Sequence, residues 1–187
     1  MVYLFLDMFR LIKTLIGLFI IFGIGYLFGI KGIKFYKIPS NSMEPTLVKN
    51  ERIIGINVSP SDLKRGDIIT FLYPKVSKKL LVKRIIGLSG DTVLIENGNV
   101  FINNKKIIEP YIKEKPVYSL KAKVPEGDVF VLGDNRNNSY DSSIWGPLPM
   151  KDIQKKIIMI YWPFKKISLL STRPTFKIKV KIPLHKY

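Results

Sequence analysis

The feature that most constrains this chain is an uncharged apolar segment near its N-terminus. Residues 14–30 read TLIGLFIIFGIGYLFGI, without one charged side chain, and an apolar pair precedes Lys13. A helix needs about 20 apolar residues to cross a hydrocarbon core of about 30 Å. A cleaved secretory signal would end in small residues of the A-x-A kind, whereas KGIKFYKIPS follows here. The sequence therefore predicts an uncleaved transmembrane anchor over residues 11–30, after a short cytoplasmic segment at 1–10.

A buried helix of a soluble core is the alternative for the apolar segment. The glycines at 17, 23, 25 and 29 count against it, because glycine is unfavourable in soluble helices and common in membrane-spanning ones. Orientation is not set by charge, because basic residues lie on both sides of the segment. Long domains translocate largely regardless of such a bias.

Composition narrows the chemistry that the chain can perform. The net charge of +17 favours an anionic neighbour, either nucleic acid or the surface of an anionic bilayer. The absence of cysteine excludes disulfides, thiolate nucleophiles and cysteine-ligated metals. The single histidine, His185, argues against a Ser-His-Asp triad and against a multi-histidine metal site. A hydrolytic serine in this chain would need another base.

Beyond residue 35 the sequence consists of short apolar, β-branched runs separated by turn residues. This pattern predicts a mainly β domain over residues 31–170. Asn97-Gly98 suits the tight turn of a hairpin, because both residues tolerate a positive φ. The basic tail at 171–187 alternates basic and apolar residues, so it is either an edge strand or a surface-binding extension.

Three segments hold candidate reactive groups. The loop IPSNSMEPTL, residues 38–47, is rich in hydroxyl side chains, and GDNRNNSYDSSIWGPLP, residues 133–149, is a polar loop. Between them, Lys83 and Arg84 interrupt an apolar run, and strand alternation directs neighbouring side chains to opposite faces. If Lys83 takes the inward face, burial lowers its pKa and yields a neutral amine that can act as a base. Arginine could not do so.

Taken together, these segments resemble the type I signal peptidase family in identity, order and spacing. The matching segments are PSNSMEPTL, RGDIITF, VKRIIGLSGD and GDNRNNSYDS. The resemblance covers roughly residues 9–170 and is greatest to cyanobacterial and plastid members. It implies a signal-peptidase-like β catalytic domain with one N-terminal transmembrane helix. The catalytic domain is then expected on the extracytoplasmic side of a bacterial cell membrane or its thylakoid equivalent.

The resemblance assigns the reacting groups residue by residue. Ser42 matches the nucleophile, and Lys83 matches the general base that takes its proton and later returns it to the leaving amine. The Ser40 hydroxyl and the backbone N–H of Ser42 match the oxyanion donors. Such a Ser-Lys dyad requires no metal and no cofactor.

The resemblance also assigns supporting roles. Ser139 matches the position whose hydroxyl orients the lysine amine, and Asp141 matches the partner of the arginine after the lysine, here Arg84. Ser143 stands where many members have arginine, so Asp141 keeps one expected ionic partner instead of two. Small substrate pockets are expected to be lined by Ile38, Leu47 and Val82.

The expected function is removal of N-terminal signal peptides from exported precursors after small residues in A-x-A sites. Precursor proteins and anionic lipid are the expected partners, nucleic acid is not, and the oligomeric state is left open. Two alternatives remain. One is a relative with the same dyad that matures conjugative pilins or organellar precursors, and the other is a non-enzymatic, membrane-tethered basic module.

Overall fold

The computed structural model describes residues 2–72, 80–170 and 177–178. The chain forms two compact units, Met1–Ile33 and Lys34–Tyr187. Each unit is described separately below.

The first unit is one α-helix, α1 (Val2–Lys31). No proline interrupts the sequence of this segment, and the helix is followed by Gly32 with φ 52°, a left-handed conformation that commonly ends helices. The predicted segment 11–30 lies inside α1, and several of its large apolar side chains, including Phe19 and Phe22, are exposed. Among the residues that the structure describes, no helix combines the length and apolar character required to cross a membrane.

The second unit is mainly β, as predicted. Its strands are β1 (Lys34–Lys37), β2 (Arg52–Ile56), β3 (Ile68–Leu72), β4 (Leu80–Gly87), β5 (Thr92–Glu96), β6 (Asn99–Ile102), β7 (Lys105–Ile108), β8 (Leu120–Lys123), β9 (Asp128–Leu132), β10 (Leu148–Pro149), β11 (Ile153–Trp162), β12 (Ser168–Leu169) and β13 (Lys177–Ile178). One short α-helix, α2 (Ser142–Trp145), and 3₁₀ turns at Pro60–Asp62, Met150–Asp152 and Phe164–Lys166 complete the regular structure of the described residues.

The strands form two sheets. Over the described ranges, the larger sheet has the order β1-β2-β11-β3-β4-β9-β10, and β12 also pairs with β11. The smaller sheet has the order β13-β7-β6-β5-β8. Its β5–β6 hairpin turns at Asn97 and Gly98, whose φ values of 50° and 70° are both positive. The predicted hairpin is therefore confirmed.

Strand β4 contributes side chains to every apolar cluster of the second unit. In the described part of the chain the buried apolar side chains, except Tyr111, form three clusters, and β4 contributes Val82, Ile85 and Ile86 to one cluster each. These residues are surrounded on both faces of the strand, as expected for a central strand. Side chains between Val82 and Ile85 are consequently withdrawn from water.

Part of the C-terminal tail joins the smaller sheet. Strand β13 pairs antiparallel with β7, with Lys177 opposite Ile108 and Ile178 opposite Ile107. Of the two predicted forms of the tail, this pairing supports the edge strand for residues 177–178. The other tail residues, 171–176 and 179–187, lie outside the described residues.

Candidate active site

Strand β4 places Lys83 and Arg84 between the clusters. Lys83 is only 2% exposed, so it takes the inward position that the sequence had left open. Arg84 is only 5% exposed, so both cations are buried. Burial lowers the pKa of Lys83 to about 8, although the negative charges of Asp141 and Asp134 oppose this shift. The strand thus supplies an amine that loses its proton far more readily than an exposed lysine.

Ser42 lies in the loop between β1 and β2. Backbone hydrogen bonds close the base of this loop, from Ile38 N to Glu51 O at 2.8 Å and from Asn50 N to Ile38 O at 2.9 Å. Asn50 has φ 74°, a left-handed conformation that asparagine tolerates better than most residues. Buried Met43 and Leu47 fix the loop from inside, while Ser42 stays partly accessible.

The structure brings Ser42 and Lys83 together. Lys83 Nζ lies 2.7 Å from Ser42 Oγ, and Ser40 Oγ donates a hydrogen bond to Ser42 Oγ at 3.3 Å. Hydrogen-bond contact between a nucleophile and a base of lowered pKa is the geometry that activates a hydroxyl. The predicted nucleophile, base and second hydroxyl therefore occupy one site.

The predicted pairing of Arg84 with Asp141 is wrong. Arg84 instead donates to both carboxylate oxygens of Asp134, from Nε at 2.8 Å and from Nη2 at 2.6 Å. Asp141 caps α2, where it accepts from Ser143 N at 3.0 Å and from Ser143 Oγ at 2.7 Å. It also accepts from Gly133 N at 2.9 Å, so neutral donors satisfy this buried carboxylate.

Ser139 does not make the predicted hydrogen bond to Lys83. Its hydroxyl is buried and has no hydrogen-bond partner among the described residues. It packs against Gly133, where an added Cβ would lie 2.3 Å from Ser139 Oγ and 2.4 Å from Ser42 O. Only glycine fits at this close approach of the two loops. The Ser139 hydroxyl occupies the space that a side chain at position 133 would need.

Sequence reasoning did not single out three polar residues that join the loops. Thr46 Oγ1 donates to Asp134 Oδ2 at 2.5 Å, and Asn135 N donates to Ser42 O at 3.1 Å. Asn135 Nδ2 also reaches Asn41 O at 3.2 Å. Asp134 and Asn135 belong to the GDNR sequence, and Thr46 belongs to the nucleophile loop. The sequence therefore indicated the motifs of these residues but not their hydrogen-bond partners.

The predicted pocket residues occupy one apolar cluster. Ile38, Leu47 and Val82 pack together with Met43, and each of these side chains is buried. Three of them come from the loop that carries Ser42, and Val82 directly precedes Lys83. The cluster therefore forms an apolar wall next to the two reactive groups.

No metal site accompanies this arrangement in the described ranges. There, no group of three or more His, Cys, Asp or Glu side chains is placed to hold a metal ion.

Residues 8–162 match the family described as "Signal peptidase, peptidase S26". The chain belongs to this family. The match confirms the predicted peptidase class. It includes Ser42, Lys83 and the polar loop around Asp134, and it covers most of the chain.

Curated relatives agree with the family match. The chain is 43% identical to "Probable signal peptidase I-2" of Synechocystis over 72% of this chain and 65% of the relative. It is 38% identical to "Signal peptidase I" of Leptolyngbya laminosa over 88% and 85%. It is 39% identical to "Thylakoidal processing peptidase 1, chloroplastic" of Arabidopsis thaliana over 70% and 42%. The predicted similarity to cyanobacterial and plastid members is confirmed.

The Arg84–Asp134 ion pair gives a stability prediction. Replacing Asp134 with alanine leaves the Arg84 charge buried without its counter-ion, so the free energy of unfolding should fall by about 3–5 kcal/mol. Urea unfolding followed by tryptophan fluorescence measures this loss. The matched control is Glu44→Ala, which removes the partly exposed Glu44–Lys113 pair and should cost at most about 1 kcal/mol. Equal losses in the two variants would contradict the importance assigned to the buried pair.

Proposed function

We propose that this chain is a type I signal peptidase, a membrane-bound serine endopeptidase that removes N-terminal signal peptides from exported precursor proteins. The observation that carries the proposal is the 2.7 Å contact between Ser42 Oγ and the buried Lys83 amine. The family match and the named relatives support the same activity. Cleavage follows small residues in A-x-A sites, as the family resemblance implies.

The reaction begins when neutral Lys83 accepts the hydroxyl proton of Ser42. Ser42 Oγ attacks the scissile carbonyl carbon, and the backbone N–H of Ser42 and the Ser40 hydroxyl stabilise the oxyanion. Protonated Lys83 then gives its proton to the leaving amine. Finally, Lys83 removes a proton from water, which hydrolyses the acyl-enzyme and restores the Ser42 hydroxyl.

Small substrate side chains are accommodated against the apolar wall. Ile38, Leu47 and Val82 lie next to the reactive pair and are already packed against one another. Apolar side chains at this position favour an apolar substrate side chain beside the scissile bond, and the family resemblance implies that it is small. This supports a preference for alanine-like residues before the cut.

Two features of the chain favour attachment to a membrane. The apolar segment 11–30 is proposed as the anchor, because it carries exposed Phe19 and Phe22 on a helix. The second unit exposes an apolar rim, defined as Trp162, Phe164, Ile167 and Leu169, next to lysines 165 and 166. Together with the net charge of +17, this rim suits contact with an anionic lipid surface.

The dyad is tested by peptide cleavage. The purified chain in detergent should cut a synthetic precursor with an A-x-A site, and Ser42→Ala and Lys83→Ala should each reduce kcat by at least about 10⁴-fold. Ser61→Ala is the matched control and should keep parental activity, because Ser61 is exposed and bonds only to Ser59 among the described residues. Undiminished cleavage by either dyad variant would exclude the mechanism.

The pH dependence follows from the lowered pKa of Lys83. Only the neutral amine acts as a base, so kcat/KM should rise with pH through about 8 and then level off. An exposed lysine would give a rise near the free value of about 10.4. Initial rates between pH 6 and 11 distinguish the two profiles. Lys83→Arg should be inactive across this range, because arginine keeps its proton.

Vesicle flotation tests the membrane attachment. The full chain should remain with vesicles after a carbonate wash, because an inserted apolar helix is not released by high pH. A chain shortened to Lys34–Tyr187 should float with anionic vesicles at low salt and be released at high salt, because its attachment is interfacial and partly electrostatic. Carbonate release of the full chain would exclude the anchor. Equal binding of the shortened chain to neutral and anionic vesicles would exclude recognition of lipid charge.

A further inference from the structure

A buried charge network lies on the side of Arg84 away from its strand. The ring of Tyr111 lies 4.0 Å from the guanidinium carbon of Arg84, and Tyr111 is only 8% exposed. At this distance the ring face attracts the cation, and the contact gains strength because water is excluded. Asp134 holds the same guanidinium through two hydrogen bonds. Arg84 also donates to Gly66 O at 2.9 Å and to Thr46 Oγ1 at 3.2 Å. Hydrogen bonds thus hold the guanidinium within its plane, and the Tyr111 ring covers one of its faces.

Tyr111 is itself held by a second buried ion pair. Its hydroxyl donates to Glu109 Oε1 at 2.8 Å. Both oxygens of Glu109 accept from Arg136, at 2.8 Å and 2.5 Å. The pKa of Tyr111 is raised, first by burial and then by the charge of Glu109, so the hydroxyl stays protonated and continues to donate. The ring consequently has a fixed orientation.

The network ends on the turn that holds the nucleophile loop. Arg136 Nε donates to Gly133 O at 3.1 Å, which closes residues 133–136 into a turn. Within that turn Asp134 binds Arg84, and Asn135 N donates to Ser42 O. Displacement of Arg84 would therefore act on both partners of the dyad, because Lys83 precedes Arg84 on β4 and the turn supports Ser42.

We propose that Tyr111 is a positioning residue for the reaction, whose ring holds Arg84 and thereby fixes the contact between Lys83 and Ser42. The inference rests on the proposed peptidase function and extends it to the segment after β7. Tyr111 touches neither reactive group in the described contacts. Its effect is transmitted through Arg84 and the turn at 133–136.

The test compares a variant that removes the ring with one that keeps it. Tyr111→Leu should lower kcat at least tenfold and change KM less than twofold, because Tyr111 is only 8% exposed and offers a substrate little surface to contact. Tyr111→Phe keeps the ring over Arg84 and should retain kcat within threefold. Should Tyr111→Leu fail to fold, Tyr111→Met provides a second variant without a ring. Rescue by phenylalanine distinguishes the ring from the hydroxyl.

The pH profile supplies a readout that a loss of stability alone would not change. If Arg84 shifts, β4 loosens and Lys83 gains water, so the rise of kcat/KM should move above the parental pH in Tyr111→Leu. Ile95→Ala is the control, because it also removes buried apolar contacts but lies on β5 of the smaller sheet, which does not pair with β4 among the described strands. It should lower the melting temperature and leave kcat and the pH profile at parental values.

The outcomes separate this inference from the proposed function. If the parent cleaves the A-x-A peptide no faster than Ser42→Ala, the proposed function fails. If the parent cleaves normally and folded Tyr111→Leu has the parental kcat and pH profile, only the role of Tyr111 is overturned. Equal kcat losses in Tyr111→Leu and Ile95→Ala would overturn it as well, since the effect would then follow stability alone.

Discussion

Burial of one lysine in a central strand is the constraint on which the rest of the site depends. β4 packs on all three apolar clusters, so Lys83 cannot reach bulk water, and its charged form is destabilised. The pKa falls only to about 8 because two buried carboxylates, Asp134 and Asp141, favour the charged form. The pKa of Lys83 is thus set by competition between desolvation, which lowers it, and nearby negative charge, which raises it.

The two carboxylates have different hydrogen-bond partners: Asp134 pairs with a cation, and Asp141 accepts from neutral donors. Asp134 is neutralised by Arg84 and also accepts from Thr46, so it joins β4 to the nucleophile loop. Asp141 receives hydrogen bonds from neutral donors at the start of α2. A carboxylate held by dipoles keeps its full charge near Lys83, whereas one paired with arginine is largely compensated.

Much of this architecture could be predicted from the sequence because local physics decides it. The strands and the Asn97-Gly98 turn follow from β-branched runs and turn conformations. Strand alternation left open which of Lys83 and Arg84 lies inward, and both are buried. The absence of cysteine and the single histidine already required an unusual base for any serine enzyme. The pairing of Ser42 with Lys83, however, came from the family resemblance and not from spacing.

The sequence by itself determined which groups are available: a serine in a tight loop, a lysine in an apolar strand and a polar loop rich in carboxylates and amides. Only the tertiary structure decided which of them meet. Arg84 pairs with Asp134 and not with Asp141. The Ser139 hydroxyl packs against Gly133 and does not bind Lys83. The motifs had suggested the other contact in both cases. Strand alternation fixes the face on which a side chain lies. Its partner depends on how a distant loop packs against the strand, as Asp134, 50 residues further along the chain, does against Arg84.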